Sequence, residues 1–409
     1  MQERVLSMIS GRTDVGVVRS NNEDNFLIAD LAQGISLPEN SQLLKSLSEN
    51  LLLLVVSDGM GGASYGEVAS ELAVLTIKDS LVRIGHNHLP QDRLVAAVEE
   101  ANQLIWNESQ RNAHMRGMGA TVTAAMIEGN RAFVAEVGDS RAYLIRDGRI
   151  KQITSDQSLV SHLVSRGVIS EEEAATYPRR NVVLQALGVN EVIKVAVDVV
   201  DLCQNDRLLL CSDGLYSLFS ADELLYYGTM QNVGEACELM IRLARERGAP
   251  DNVTVILAEF RGDGLQVSPG RRMLTESLHR LAAYDPDLPV EKSHKRTQLL
   301  GETGITYRYY SGPNVRLRVT DNLSAFPQSS DVVSELRKLK EKLVECRVCL
   351  QNKIETVEQA TTWLASQGIH FTDRITVLEL IGEGLKHFEV LSSVVEQLRE
   401  RFENGLDDS

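Results

Sequence analysis

The sequence predicts an α+β fold in which antiparallel sheets are covered by helices, followed by a mostly helical C-terminal module. Three observations lead to this prediction. Short apolar runs alternate with turn signals over residues 1–262, several of these runs follow one another directly between 121 and 154, and two longer segments have apolar residues at helical spacing. Strands and helices that occur in blocks, with hairpins between the strands, are typical of antiparallel sheets packed against helices.

The first half of this region supplies two helices and a run of strands. Helices are predicted at 66–85 and 91–113, where apolar side chains recur every three or four residues. The segment 121–154, TVTAAMIEGNRAFVAEVGDSRAYLIRDGRIKQIT, is predicted to form an antiparallel meander of four strands joined by tight turns of Gly, Asn and Asp, with Asp139 in one of the hairpin turns. The later elements are predicted, in chain order, at 156–190 (helical and polar, with Ser170 as an N-cap), 207–211 (strand), near 232–247 (helix) and 253–260 (strand).

The rest of the chain has a different pattern. Residues 263–330 contain little periodicity, and we predict a linker with an irregular or strand-containing segment. Residues 331–409 carry two stripes of apolar residues at seven-residue spacing, which predict a helical hairpin or coiled coil. Such a stripe fits an intramolecular or dimer core, and it also fits a partner-binding surface through 331–405. Cys346 and Cys349 form a lone CxxC pair within this pattern, and we interpret them as ordinary thiols rather than a zinc site.

Composition excludes several classes of protein. The 409 residues have a formal net charge of −15, which disfavours a nucleic-acid partner, because phosphate contacts need clustered Lys and Arg. No apolar run approaches the roughly 18 residues that a membrane-spanning helix needs, and the N-terminus lacks the pattern of a secretion signal. Five scattered cysteines argue against a disulfide framework. We therefore expect a cytoplasmic protein without a membrane or nucleic-acid partner.

Two predicted strands end in the same way. LLLLVVSDGMGG at 51–62 and RLLLCSDGLYSLF at 207–219 each bring an apolar run to an Asp-Gly pair, at Asp58 and Asp213. An Asp-Gly turn after a strand needs no function, since both residues tolerate turn geometry. The repetition, however, suggests that the two carboxylates share one site at the edge of a core.

Further acidic residues occupy comparable positions, namely Glu23 and Asp24 in RSNNEDN, Asp139 in VGDSR and Asp251 in GAPDNVTV. A turn alone explains each of them. Two carboxylates about 6 Å apart repel each other by roughly 3 kcal/mol at an effective dielectric constant near 20. The group is therefore either dispersed or accompanied by cations, and oxygen ligands without His or Cys fit Mg²⁺ or Mn²⁺.

Six motifs in this order resemble the metal-dependent PPM family of Ser/Thr protein phosphatases, also called the PP2C family, and its bacterial branch in particular. The motifs are RSNNEDN, SDGMGG, GATVTAA, VGDSRAYL, CSDGLYSL and GAPDNVTVIL. The resemblance covers about residues 10–262, and none extends over 262–409. It implies two antiparallel sheets sandwiched between helices, with residues 1–262 as the phosphatase domain and a flap at about 155–190.

The resemblance also implies a role for each site residue. Asp58 and Arg19 would be the catalytic residues, with Asp58 bridging two metal ions and Arg19 gripping the substrate phosphate. The carbonyl of Gly59 is a further implied ligand. Asp213 and Asp251 would complete the shell of one ion, Glu23 and Asp24 would hold the other ion and its waters, and Asp139 with Asp213 would bind a third, weaker ion. The implied cofactor is Mn²⁺ or Mg²⁺, bound in two tight sites.

This assignment suits the chemistry of phosphate esters, whose uncatalysed hydrolysis is among the slowest known reactions. Two metal ions can lower the pKa of a shared water from about 15.7 toward 7, so no Ser or Cys nucleophile is required. The sequence departs from common family patterns at three positions. Ala63 follows GMGG where many relatives have His, Gln157 stands in the flap where DHS is usual, and Met60 replaces a His proposed as a general acid in animal relatives.

Three functions are therefore weighed. The first is an active phosphatase for phosphoserine and phosphothreonine proteins with a C-terminal regulatory or docking module. The second is a catalytically weak signalling scaffold that acts through its C-terminal helices. The third is a metal-dependent hydrolase of small phosphoesters or nucleotides, although the sequence contains no Walker-type GxxxxGK[ST] motif. The first is favoured, and we expect residues 1–262 to suffice for metal binding and hydrolysis.

Overall fold

The computed structural model describes residues 6–36, 42–46, 51–61, 65–85, 88–268 and 277–288. The predicted helical module at 331–409, its cysteine pair, most of the predicted linker and Ala63 lie outside these residues. None of the described helices is both long and apolar enough to cross a membrane.

The described elements alternate between blocks of strands and blocks of helices. The strands are β1 Leu6–Asp14, β2 Asp24–Asp30, β3 Ile35–Ser36, β4 Gln42–Ser46, β5 Leu52–Met60, β6 Gly119–Ala120, β7 Val122–Glu128, β8 Arg131–Val137, β9 Arg141–Arg146, β10 Arg149–Gln152, β11 Ala196–Asp201, β12 Arg207–Cys211, β13 Val253–Arg261 and β14 Leu278–Ala282. The helices are α1 Tyr65–Ile84, α2 Pro90–Arg111, α3 Leu159–Ser165, α4 Glu171–Thr176, α5 Asp213–Tyr216, α6 Ala221–Gly228 and α7 Val233–Glu246, with a 3-10 turn at Ala113–Met115.

The described strands form two antiparallel sheets. One has the order β10-β9-β12-β13-β1-β4, and the other has the order β14-β11-β8-β7-β5-β2-β3 with β6 paired to the end of β5. The predicted block of four strands corresponds to β7, β8, β9 and β10. The prediction of one continuous meander is wrong at the Asp139 turn, because β8 and β9 lie in different sheets and the turn carries the chain from the second sheet to the first. The predicted α+β fold with two antiparallel sheets and covering helices is confirmed.

Alternation along β5 explains why its sequence is apolar throughout. Leu53 and Val55 pack into a core with α1 and α2, whereas Leu54 and Val56 pack between the two sheets. Strand β12 behaves in the same way, since Leu210 lies between the sheets and its neighbours lie in a third core with α7. The layers are therefore helices, sheet, sheet, helices, and a strand buried on both faces needs a continuous apolar run.

The region 156–190 differs from its prediction. It contains only two short helices, α3 and α4, and the chain from Tyr177 onward is not helical. Gly167 has a φ of +68° just after α3, a conformation that glycine adopts without strain. Tyr177 precedes a proline and has extended dihedral angles, because proline disfavours the helical conformation of the residue before it. The predicted N-cap is confirmed, since Ser170 forms a capping box with Glu173.

One strand lies beyond the predicted end of the phosphatase domain. Strand β14 belongs to the segment predicted as irregular or strand-containing, and it pairs with β11 at the edge of the second sheet. The domain boundary at 262 stays a prediction, but the sheet itself continues past it.

Candidate metal centre

A cavity of about 470 Å³ lies at one end of the two sheets, beside the end of β5, the turn after β8, the start of α5 and the residue pair before β13. Its lining contains nearly all of the predicted site residues, which come from loops and strand ends far apart in the sequence. They are Arg19, Glu23, Asp58, Gly59, Asp139, Asp213 and Asp251, joined by Met60, Thr121 and Asn181 among others.

Asp58 stands near the end of β5, and hydrogen bonds on both sides of its backbone hold it in place. Its N–H donates to the Thr121 hydroxyl at 3.1 Å, and its carbonyl accepts from the Thr121 N–H at 2.8 Å. Asp24 on β2 is its cross-strand partner. Like charges directly opposite each other on a sheet are destabilising, so this register is costly unless a cation is present.

Asp24 lies beneath the cavity rather than in its lining. One carboxylate oxygen accepts hydrogen bonds from Ser212 Oγ at 2.6 Å and from Thr254 Oγ1 at 2.7 Å. The other oxygen, Oδ1, is buried and has no hydrogen-bond partner among the described residues. The sequence did not reveal Ser212 and Thr254, because a hydroxyl that holds a carboxylate has no local signature.

Asp213 begins α5 shortly after β12, and its carboxylate is close enough to raise the pKa of Asp58. Its Oδ1 is also buried without a partner within the described residues. The next residue has to be glycine, because a Cβ at Gly214 would lie 1.9 Å from the carbonyl oxygen of Asn252. The Asp-Gly pair therefore lets the loop before β13 approach α5 closely.

The same principle applies to the Asp-Gly pair at the end of β5. A Cβ on Gly59 would lie 2.1 Å from the carbonyl oxygen of Gly66 in the first turn of α1. The Gly59 N–H donates to the carbonyl of Glu23 at 3.1 Å. These glycines permit the start of α1, the end of β5 and the Glu23 loop to converge on the cavity.

Asn252 joins two of the loops that supply site residues. Its side-chain carbonyl accepts from the Glu23 N–H at 2.8 Å, and its Nδ2 donates to the carbonyls of Val15 and Asn21, both at 2.9 Å. The neighbouring Asp251 forms an ion pair with Arg19 at 2.8 Å. The side chain of Arg19 is 49% exposed, so its guanidinium remains accessible to a ligand in the cavity.

Asp139 occupies the turn between β8 and β9, as predicted. Gly138 has a φ of +107°, and its N–H donates to Gln157 Oε1 at 3.0 Å. Gln157 also donates to the carbonyl of Glu136 at 3.2 Å. The departure from the family pattern at this position therefore places a buried amide that fixes the Asp139 turn to the base of the flap.

Burial and mutual repulsion raise the pKa of five carboxyl groups at this site, those of Glu23, Asp24, Asp58, Asp139 and Asp213. Burial raises the pKa of Asp58 well above its usual range, with Asp24 and Asp213 adding to it. Burial raises the pKa of Asp139 to about 7, again with a contribution from Asp213. Burial and the Asp251 charge raise the pKa of Asp213. Such shifts mean that the site lacks enough positive charge from protein groups alone.

The residues fit a hard cation. The donors are oxygen atoms, and two buried carboxylate oxygens are without partners among the described residues. Within those residues, no three acidic, histidine or cysteine side chains are close enough together to enclose a metal ion by themselves. A bound ion would therefore need water as additional ligands, which suits Mg²⁺ because it retains several waters when it binds to proteins.

The sequence model described as Protein phosphatase 2C matches residues 40–252, which is more than half of the chain. The chain belongs to the protein phosphatase 2C family. The predicted family resemblance is thereby confirmed.

Among curated protein phosphatase 2C relatives, the chain is 36% identical over 258 residues to the serine/threonine protein phosphatase PstP of Mycobacterium tuberculosis. That match covers 61% of this chain and 44% of PstP, so the chain spans less than half the length of this relative. It is 35% identical over 261 residues to a putative protein phosphatase 2C-type protein of Streptococcus pyogenes, covering 63% of this chain and 99% of that protein.

Solved structures agree with this membership. The crystal structure of the Mycobacterium tuberculosis phosphatase PstP matches with a TM-score of 0.53 and 35% identity, over 62% of this chain and 98% of that one. The catalytic domain of PstP in complex with two manganese ions matches with a TM-score of 0.53 and 34% identity, over 63% of this chain and 99% of that one.

A second cavity, of about 660 Å³, adjoins the first beside the flap. It shares Asp139 and Asp213 with the first cavity. Its wall includes Arg141, which makes a forked ion pair with Asp156 and stacks on the ring of Tyr216 at 3.6 Å. Sequence analysis missed this group. Arg141 and Tyr216 stand within the motifs VGDSR and CSDGLYSL, but no local pattern indicates that they meet each other and Asp156.

Proposed function

We propose that the protein is a metal-dependent serine/threonine protein phosphatase, which hydrolyses phosphomonoesters with a water molecule activated by Mn²⁺ or Mg²⁺. The main support is the cluster of buried carboxylates at the cavity, with oxygen atoms that have no partner among the described residues. Several relatives are named as serine/threonine phosphatases, and one related structure holds two manganese ions.

Each predicted ligand keeps its role in this proposal. Asp58 would be the shared ligand and the Gly59 carbonyl a further ligand. The remaining carboxylates would complete the two tight sites and a third, weaker one, namely Glu23, Asp24, Asp139, Asp213 and Asp251. When bound, a pair of such cations supplies a water of lowered pKa and positive charge for the phosphoryl oxygens.

Arg19 would bind the substrate phosphate. Its planar guanidinium offers parallel donors that match two phosphate oxygens, and it projects into the cavity from an exposed loop. The ion pair with Asp251 orients the side chain without burying it. The leaving-group proton is assigned to water, because the described lining has no His or Lys and Met60 stands near the carboxylates.

A protein substrate is favoured over a small phosphoester by the second cavity. Its volume of about 660 Å³, directly beside the metal centre, gives room for residues that flank a phosphorylated side chain. A non-catalytic scaffold is disfavoured, because it would have no reason to keep a cluster of mutually repelling buried carboxylates. A cytoplasmic location stays a prediction.

The test is hydrolysis of p-nitrophenyl phosphate and of phosphoserine and phosphothreonine peptides, with Mn²⁺, with Mg²⁺ and after exhaustive chelation by EDTA. Activity should disappear with EDTA and return with metal. Arg19→Ala should lower kcat/KM by about tenfold to a hundredfold, since a charge-assisted hydrogen bond contributes about 1.5–3 kcal/mol. Its calorimetric metal affinity should match wild type. Full turnover after chelation would contradict the proposal. Hydrolysis of p-nitrophenyl phosphate without hydrolysis of either phosphopeptide would favour a small substrate.

We further propose that residues beyond the phosphatase domain act in docking or self-association through 331–405 rather than in chemistry. Chains truncated after 262 and after 288 should both hydrolyse p-nitrophenyl phosphate. The shorter one should be less stable, because it loses β14 and the Arg280 that pairs with buried Asp198. Light scattering of full-length and truncated chains tests self-association. An inactive 1–288 chain would mean that the tail belongs to the catalytic core.

A further inference from the structure

Residues 277–288, here called the strap, connect the second sheet to the flap. They lie beyond residue 252, where the match to the family ends. Strand β14 pairs with β11 along this sheet edge, and the chain after β14 then reaches helix α3 of the flap. The strap therefore contacts a part of the molecule that borders the second cavity.

The strap is fixed first at the base of the flap. Arg280 Nε donates to Asp198 Oδ1 at 3.0 Å, and its Nη2 donates to the carbonyl of Ile153 at 3.2 Å. Ile153 lies two residues before the start of the flap at Ser155. The Ser155 N–H in turn donates to buried Glu136, whose pKa the Arg280 charge lowers against the effect of burial. Arg280 thus stabilises the strand end from which the flap departs.

The strap is fixed a second time at the outer surface of the flap. Asp287 forms an ion pair with Arg166 and lies 3.9 Å from His162 Nε2, and Asp285 Oδ1 lies 3.6 Å from Arg166. The two carboxylates are held together, because the Asp287 N–H donates to Asp285 Oδ1 at 3.0 Å. Two acidic side chains therefore face the basic end of α3.

Helix α3 lies between the strap and the second cavity. Val160, Ser161 and Val164 line that cavity. His162 and Arg166 are four residues apart, so they lie on one face at the C-terminal end of α3. This face contacts the strap. Because the cavity shares Asp139 and Asp213 with the metal centre, a shift of α3 would change the space beside the reacting phosphate.

We propose that the strap positions α3 and thereby sets the affinity for protein substrates, with Asp285, Asp287 and Arg166 as positioning residues. This inference rests on the proposed phosphatase function. If α3 is already held in the conformation that binds a peptide, it loses less conformational entropy when the peptide enters the second cavity. The affinity for the peptide is therefore higher. A small substrate that occupies only the metal centre does not use this wall. The strap should therefore affect KM for peptides and leave hydrolysis of p-nitrophenyl phosphate nearly unchanged.

The experiment uses the full-length chain with Mn²⁺ and compares wild type, Arg166→Gln, Arg166→Lys and the double variant Asp285→Asn/Asp287→Asn. The control is Arg261→Gln, which removes an equally exposed arginine from an ion pair at the opposite end of β13 from the metal centre. Steady-state constants are measured for a phosphothreonine peptide and for p-nitrophenyl phosphate. Hydrogen exchange of the 159–165 amides is measured in the same proteins.

Arg166→Gln and the double variant should raise KM for the peptide about twofold to fivefold, the range expected for exposed ion pairs, and speed exchange in α3. Their kcat and their constants for p-nitrophenyl phosphate should match wild type. Arg166→Lys should recover part of the effect, and about 1 M salt should shrink it, since exposed charges are screened.

The inference would be overturned if Arg166→Gln and the double variant had the same steady-state constants for the peptide, and the same hydrogen-exchange rates in α3, as the control Arg261→Gln. Equal losses for both substrates would also overturn it, because they would indicate general destabilisation. If wild type hydrolyses neither substrate, the proposed function fails. The exchange rates would then decide separately whether the strap restrains α3.

Discussion

Strand β12 has an aspartate at each end, and the two carboxylates have opposite surroundings. Asp206, just before the strand, is fully buried and accepts hydrogen bonds from Arg146 at 2.5 and 2.7 Å and from the Cys203 N–H at 2.7 Å. Asp213, just after the strand, has the acids Asp58 and Asp251 as electrostatic neighbours and leaves one oxygen without a partner among the described residues. Burial raises the pKa of both, but Arg146 opposes this at Asp206, whereas Asp251 adds to it at Asp213.

This difference distinguishes buried charges that stabilise the fold from buried charges that belong to the candidate site. Buried charges at the end of the sheet far from the cavity have counterions, as in the pairs Arg146–Asp206 and Arg207–Glu259. Buried carboxylates at the cavity have mainly one another, with Arg19 at the rim. A folded protein retains such repulsion only where something else compensates for it, and here a cation is the simplest candidate.

The largest expected effect is at the cavity, where Asp58→Asn should reduce kcat by at least about a thousandfold. Loss of one preorganised electrostatic group costs about 10²- to 10³-fold, and Asp58 is proposed to serve two metal ions. Turnover with saturating Mn²⁺ is the measurement, and calorimetry should show weakened metal binding. The variant should still fold, as judged by circular dichroism. Near wild-type turnover would mean that Asp58 is not the bridging ligand.

The next effect compares the two ends of β12 directly. Asp206→Asn should lower the free energy of unfolding by about 3 kcal/mol, because it leaves the buried Arg146 without its counterion. Asp213→Asn should raise the free energy of unfolding of the metal-free protein by about 1 kcal/mol, because it removes repulsion and an unpartnered buried charge. Urea denaturation in EDTA measures both values. Equal signs for the two variants would remove the distinction drawn here.

The sequence predicted one end of β12 far better than the other. Asp58 and Asp213 were identified because each follows an apolar run buried on both faces, and this pattern is local. Asp206 and Arg146 are 60 residues apart, and neither has a motif that indicates the other. The same holds for Arg280, which reaches Asp198 across 82 residues from a segment with little periodicity. Partners of this kind depend on sheet order, which local spacing does not determine.

Asp24 illustrates a partial success. The resemblance placed it among the metal ligands, and the fold does bring it opposite Asp58. Its position beneath the cavity depends on hydroxyl groups from β13 and from the residue after β12, Thr254 and Ser212. Only the meeting of two sheets brings these groups together.

The smallest effect concerns Glu136, a buried acid whose surroundings are intermediate between those of Asp206 and Asp213. It has both an arginine and other carboxylates near it. It accepts the Ser155 N–H at 2.9 Å, and burial raises its pKa well above the usual value near 4.5, with Arg280 acting in the opposite direction. A carboxyl group whose pKa is raised by folding favours the protonated form in the folded state. Its contribution to stability is therefore fully present below pH 4.5 and is lost as the pH rises through the folded-state pKa.

Glu136→Gln removes this ionisation and keeps an oxygen that can accept from Ser155. The variant should be more stable than wild type at pH 8 by about 1–3 kcal/mol, the order of the cost of a buried polar group whose hydrogen-bonding capacity is not satisfied. The gain should vanish near pH 4. Glu259→Gln is the matched control, because Glu259 is equally buried but is paired with Arg207 and Arg261. Glu259→Gln should be less stable than wild type at pH 8, because the substitution leaves buried Arg207 without its counterion. Urea midpoints from pH 4 to 8 distinguish the two, and a pH-independent difference for Glu136→Gln would show that its carboxyl group ionises as readily in the folded protein as in the unfolded chain.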